Sequence, residues 1–152
     1  MDKIIAGAIS AVIGAFSAFM FNKFNWRNQK KVDSILSMEK ELLNNIRTFS
    51  DDAIEYWSED QCSLDKPKLL EARIKMSFTS ISPQFKLLYY NHPNPPSYLI
   101  LKVENDISKL YEHSTGGDFE SIKRANNASR CLKIGTLCNK LNNNIRQIVH
   151  NH

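Results

Sequence analysis

The chain has 152 residues, 24% of them charged, with a formal net charge of +4 at pH 7 and an isoelectric point near 9.0. That length suits one domain with an appendage, and it can bury a core without disulfide or metal staples. The mild basic excess permits an anionic partner, nucleic acid or lipid headgroups, without demanding one. Three cysteines, Cys62, Cys131 and Cys138, make an odd count without paired spacing. This argues against a disulfide framework and for a reducing compartment; Cys131 and Cys138, seven apart, share a helix face and suit buried packing.

From Ile4 to Phe21 no residue is charged. As an α-helix this run is about 27 Å long, against about 30 Å of bilayer hydrocarbon. Phe24 and Trp26 follow as an interfacial aromatic belt, and Lys23, Arg27, Lys30 and Lys31 cluster on the same side. Only Lys3, offset by Asp2, and the α-amino group flank the other end. The positive-inside rule then places a single-pass helix, residues 1–22, in the inner (cytoplasmic) membrane and residues 23–152 in the cytoplasm. A cleaved signal peptide is the first alternative, because "AFS" at 15–17 is a small-x-small site. The run continues past it, however, and the n-region is nearly neutral. A buried soluble helix is the second alternative.

Bulk and smallness are segregated around this helix. Ile5, Ile9, Val12, Phe16 and Phe19 form one stripe; Lys3, Gly7, Ser10, Gly14, Ser17 and Phe21 form the opposite one. Ala6, Ser10, Gly14 and Ala18 make a small-xxx-small ladder that lets helices approach closely. The segment is therefore expected to associate. Either it packs helix on helix, or Gly7, Ser10, Gly14, Ser17 and Phe21 line the pore of a homo-oligomer.

The remainder is expected to be all-α. Val32, Ile35, Glu39, Leu42, Ile46, Phe49, Ala53 and Tyr56 follow heptad-like spacing, widened by Leu36, Leu43, Ile54 and Trp57. No helix breaker separates them from the apolar run, so one long helix can enter the cytoplasm. Glu39, the odd member, suits an inter-helix ion pair. "SEDQCSLDKP" ends this helix, and Pro67 suits the first turn of the next, with Asp65 near the cap. Ser82-Pro83 is expected to start a separate short helix, "QFKLLYY", closed by the stiff loop "NHPNPP". Ser97 is expected to cap a helix to about His113 with Leu99, Val103, Ile107 and Leu110 inward. "STGGD" reads as a turn, and Asp118 as the cap of a last helix reaching Val149. Its seam is Ile134, Cys138, Leu141, Ile145 and Ile148. A membrane helix thus feeds a cytoplasmic helical bundle.

Catalytic and metal signatures are not visible: no phosphate-binding glycine loop, metal-spaced Cys/His set or nucleophile elbow occurs. Arg146 and His150 are four apart on a helix, but nothing else supports a nuclease-type site. The expectation is a non-enzyme without a cofactor or metal. Basic residues say more. Asn126, Arg130, Lys133, Lys140 and Asn144 flank the seam of the last helix; Arg73 and Lys75 stand among few acids; Lys86 precedes Tyr89 and Tyr90. Cations for phosphates, rings for stacking and amides for base edges are what single-stranded nucleic acid or nucleotides require. A solvated polar face with core tyrosines is the plainer alternative.

A short span, a small-residue face and a basic all-α cap together resemble the membrane subunit of Hailong antiphage defence systems. The resemblance covers the whole chain by layout rather than by motif, so it assigns no individual residue. It implies an oligomeric channel held shut by short single-stranded DNA on the cytoplasmic cap, the DNA being made by a partner nucleotidyltransferase. CRISPR-associated membrane effectors gated by cyclic oligoadenylate share a similar plan. The expected protein is a homo-oligomeric, ligand-gated membrane effector of antiphage defence, with membrane lipid and an oligonucleotide as partners. Its rivals are a membrane-anchored helical protein-interaction module and a holin-like pore-former without a ligand.

Overall fold

The computed structural model describes the backbone of residues 2–59, 65–121 and 124–150, and the side chains of these residues except 2–12 and 65. Among the described residues there are four α-helices and no strand: α1 (Asp2–Ser58), α2 (Asp65–Asn91), α3 (Ser97–Thr115) and α4 (Ala128–His150). The expected all-α class holds. Two compact units are present, Met1–Ser34 and Ile35–His152.

In the first unit every described side chain, from Ile13 to Ser34, is exposed. Among the described residues no helix is long and apolar enough to cross a membrane. Of the uncharged run only residues 13–21 have described side chains, so those of Ile5, Gly7, Ile9, Ser10 and Val12 lie outside the described set. Two cations lie over rings here: Lys23 Nζ is 5.8 Å from the Phe19 centroid and Lys30 Nζ 3.9 Å from that of Trp26.

The second unit is an up-down-up-down four-helix bundle. Its antiparallel pairings can be read from contacts that run in opposite chain directions. Asn45 bonds Gln84 and Tyr56 bonds Glu71, aligning α1 against α2. The Cys138 and Cys131 thiols reach the Ile46 and Ile54 carbonyls at 4.0 and 3.6 Å, aligning α4 against α1. Asp106 takes bonds from Lys140 and Asn144 across α3 and α4, and Phe78 stacks on Tyr111 at 4.2 Å between α2 and α3. Each helix adds one apolar stripe at 3–4 spacing. The core contains Leu42, Ile46, Phe49, Ala53 and Tyr56 from α1 and Ile74, Ile81, Phe85 and Leu88 from α2. Leu99, Val103, Ile107 and Leu110 come from α3, and the whole expected seam from α4. Burying each such large side chain is worth about 1.5–3 kcal/mol. Val32 and Leu36 are exposed and fall outside the core. Burial pushes the thiols of Cys131 and Cys138 up from their ordinary value, so both are packing residues rather than nucleophiles. Cys62 lies outside the described residues.

Three boundaries differ from the sequence expectation. The chain does not break at Ser82-Pro83; α2 runs through Pro83. Ile74 and Ile81 before the proline are in phase with Phe85 and Leu88 after it, so burial of one stripe overrides the lost backbone bond. Pro83 is itself exposed, leaving the carbonyl it orphans open to water, and the Thr79 hydroxyl donates to the Met76 carbonyl in the turn before it. Ser97 does not cap α3: Pro96 is the N-cap, without a side-chain bond, and its carbonyl accepts from Leu99 and Ile100 N–H. Asp118 does not cap α4, which starts at Ala128. Asn127 is the cap, its Oδ1 accepting from the Arg130 N–H at 2.9 Å.

The reason α4 starts late lies at the end of α1. The last carbonyls of a helix lack intrahelical donors, and α1 has no basic residue in its last turn. Arg124 donates to the Tyr56 and Glu59 carbonyls, and the Asn127 N–H donates to that of Trp57 at 2.8 Å. Segment 124–127 is thus held in non-helical form as the C-terminal cap of α1. The Arg124 guanidinium, buried, also lies 4.0 Å from the Tyr56 ring centroid. The turn leading there needs its glycines: a Cβ at Gly116 would sit 2.5 Å from the Glu112 carbonyl oxygen, and Gly117 has φ +65°.

Candidate functional site

The structure places the expected ligand residues apart, and most of the cations are already engaged. Arg73 Nη2 lies 2.7 Å from Asp52, a carboxylate that burial raises and Arg73 opposes. Lys75 pairs with Glu120. On α4, Arg130 donates to the Gly116 carbonyl at 2.7 Å and lies 3.9 Å from the Trp57 ring centroid, so it locks the turn against α1. Lys140 and the buried Asn144 both donate to Asp106, which is itself fully buried, at 2.8 and 2.9 Å. Lys133 is exposed beside a shallow α3–α4 groove shared with His113, Leu132 and Thr136. Asn126 and Lys86 are exposed. Tyr89 is half-buried between Phe85 and Tyr90 at 5.2 and 4.7 Å, whereas Tyr90 is exposed. Cation, ring and amide are therefore not assembled in one place on α4. The α3-facing side of that helix uses Lys140 and the Asn144 amide to satisfy a buried aspartate, because an unpaired buried carboxylate would cost several kcal/mol.

Of the expected pore set, Gly7 and Ser10 lie outside the described side chains. At Gly14 a Cβ would meet open space, with nothing within 4 Å, and Ser17 and Phe21 are exposed.

The other side of α4 is different. Between α1 and α4 runs a groove of about 520 Å³ lined by Lys40, Leu43, Asn44 and Arg47 from α1, Asn142 and Arg146 from α4, and Glu39 at its floor. Lys40, Asn44 and Arg47 are spaced four and three apart on one helix face; Asn142 and Arg146 are four apart on the facing one. Lys40 and Arg146 carry no ion pair among the described residues. Arg47 faces only Asp51, at 3.8 Å with both side chains well exposed, a contact worth little. The single carboxylate of the lining, Glu39, has its Oε2 3.4 Å from His150 Nε2, an inter-helix contact that is an ion pair only when the imidazole is protonated. Asn142 donates weakly to the Cys138 sulfur at 3.8 Å, and its buried Oδ1 has no partner.

Three cations, two amides and one acid line the groove, an excess of positive charge. No aromatic ring lines the groove, so it offers charge and hydrogen bonds but no stacking surface. Of the groove and its border, sequence alone names Glu39 and Leu43 as members of the α1 stripe and Arg146 and His150 as a pair four apart. The 4-3 spacing of Lys40, Asn44 and Arg47 is the signal for the rest, but it gains meaning only when α4 lies alongside. Among the described residues no group of three His, Cys, Asp or Glu could hold a metal ion. No protein-family profile matches the chain, and no curated protein or solved structure matches it significantly.

Proposed function

We propose that the chain is a homo-oligomeric membrane effector whose N-terminal apolar helix acts in the bilayer and whose helical bundle senses an oligonucleotide or nucleotide. The observation that carries this reading is the exposed apolar surface of the first unit. Ile13, Phe16, Phe19, Phe21, Phe24 and Trp26 are each more than half exposed, on a helix bounded by Lys23, Arg27, Lys30 and Lys31. So many large apolar groups in sequence need a cover, and a bilayer with a basic cytoplasmic flank supplies one. The cationic α1–α4 groove supports the sensing half. A ligand bound there gates the span only by favouring one state of the oligomer. Antiphage defence, with a nucleotidyltransferase supplying the ligand, is the biological setting that the layout suggests.

Carbonate-washed membranes and planar-bilayer recordings test this. The protein should stay with the membrane pellet, and purified protein should conduct with an open probability that short single-stranded DNA changes. Release of the protein by carbonate removes the membrane role. Retention without conductance leaves a membrane-anchored interaction module, and conductance indifferent to DNA leaves a holin-like pore.

A further inference from the structure

The four cations that follow the uncharged run share one side of α1. At about 100° per residue Lys23, Arg27, Lys30 and Lys31 fall within an arc of roughly 100°. Ile13, Phe16, Phe19 and Met20, each at least half exposed, fall on that same side in the turns just before, within roughly 120°. Trp26 borders the cations on one flank and Phe24 on the other, while Gly14, Ala18, Asn25 and Asn28 lie opposite, with Phe21 and Val32. Lys23 and Lys30 lean back over the Phe19 and Trp26 rings, at 5.8 and 3.9 Å from the centroids. No acid occurs between Asp2 and Asp33, and Asp33 falls outside the cationic arc. None of the four cations makes an ion pair among the described residues.

A face that is apolar along one stretch and cationic along the next, in the same phase, fits a partner layered in the same order. A bilayer leaflet supplies both layers, acyl chain and then headgroup, whereas a nucleic acid offers phosphate without an apolar layer beside it. Packed on the same face of a second copy, these cations would meet either like charges or apolar side chains, and neither compensates them. We infer that this face of α1 selects anionic phospholipid headgroups. The selectivity rests on the proposed membrane role, to which it adds the lipid class and the side of the helix that meets it.

The full-length protein is reconstituted in phosphatidylcholine vesicles with a minority of brominated phosphatidylglycerol or, in parallel, of brominated phosphatidylcholine. Quenching of Trp26 emission is read, with a Trp26→Phe variant supplying the background of the buried Trp57. At low salt the anionic lipid should be enriched around Trp26 at least about three-fold over its bulk fraction, and the enrichment should collapse at about 1 M salt. Arg27→Gln with Lys31→Gln should remove most of it while the protein still resists carbonate extraction. Adding Asn25→Lys and Asn28→Lys, which return the charge on the opposite side, should not restore it. Equal quenching by the two lipids in carbonate-resistant protein overturns the selectivity and leaves the membrane role standing, whereas release by carbonate overturns both. Recovery when the charge is relocated would make the effect one of net charge and overturn the assignment to this face. Loss of single-stranded DNA binding in the Arg27→Gln, Lys31→Gln variant would assign the face to nucleic acid and overturn it equally.

Discussion

Replacing Lys40, Arg47 and Arg146 together by glutamine tests the groove most directly. All three side chains are exposed, so the substitution leaves the core intact. For a single strand each phosphate neutralised contributes a slope of about −0.7 to the dependence of log affinity on log salt. Three contacts therefore account for a slope of about −2. Between about 50 and 200 mM salt that slope corresponds to a loss of roughly 18-fold in affinity. Anisotropy of a labelled short single-stranded DNA across this range should show the triple variant binding at least ten-fold more weakly at the low end, with the slope reduced by about 2. Arg73→Gln and Lys140→Gln should change affinity little, because those cations are committed to Asp52 and Asp106. An unchanged slope in the triple variant refutes the groove. If Lys133→Gln and Lys86→Gln removed the salt dependence instead, the site would return to the faces singled out by sequence alone.

Arg124→Ala should destabilise the bundle by about 3–4 kcal/mol, since it removes two charged hydrogen bonds and a cation–π contact from the buried end of α1; a change under about 1 kcal/mol in denaturant unfolding contradicts the capping role. Pro83→Ala should stabilise by about 2 kcal/mol, the recovered helix propensity less the unfolded-state entropy that proline removes, and a loss of stability there would mean that α2 is broken at that point. Tyr56 is pushed up to about 12 by burial, aided by Glu71 and opposed by the Glu120 N–H and Arg124. The folded state therefore keeps a proton that the unfolded state releases near pH 10. Stability should fall from about pH 10 to 12, by up to about 2–3 kcal/mol, and Tyr56→Phe should lose that component of the alkaline decline. A phenolate absorbance titrating at an ordinary pH in the folded protein would exclude the shift.

The sequence by itself determined the helical class, the inward faces of α3, α4 and the second half of α1, and the turn at Gly116-Gly117. It also marked Glu39 as a residue that needs a polar partner on another helix. These depend on periodicity and on local backbone chemistry, which are properties of neighbouring residues in one chain segment. Tertiary structure decided the rest. Pro83 stays within α2 because Ile81 and Phe85 on either side bury into one core, a gain that no local propensity contains. Asp118 loses the cap of α4 to Asn127 because Arg124 and Asn127 are drawn to carbonyls of α1 more than sixty residues earlier. Arg73, Lys75, Arg130 and Lys140 read as free cations until their partners, distant in sequence, are brought beside them. Lys40 and Arg47 read as ordinary surface charge, and Arg146 only as a neighbour of His150, until α1 and α4 lie antiparallel. Whether a charge is spent inside the fold or left for a ligand depends on which carboxylates the packing brings within about 4 Å, and at that range an interaction depends on distance in space rather than along the chain.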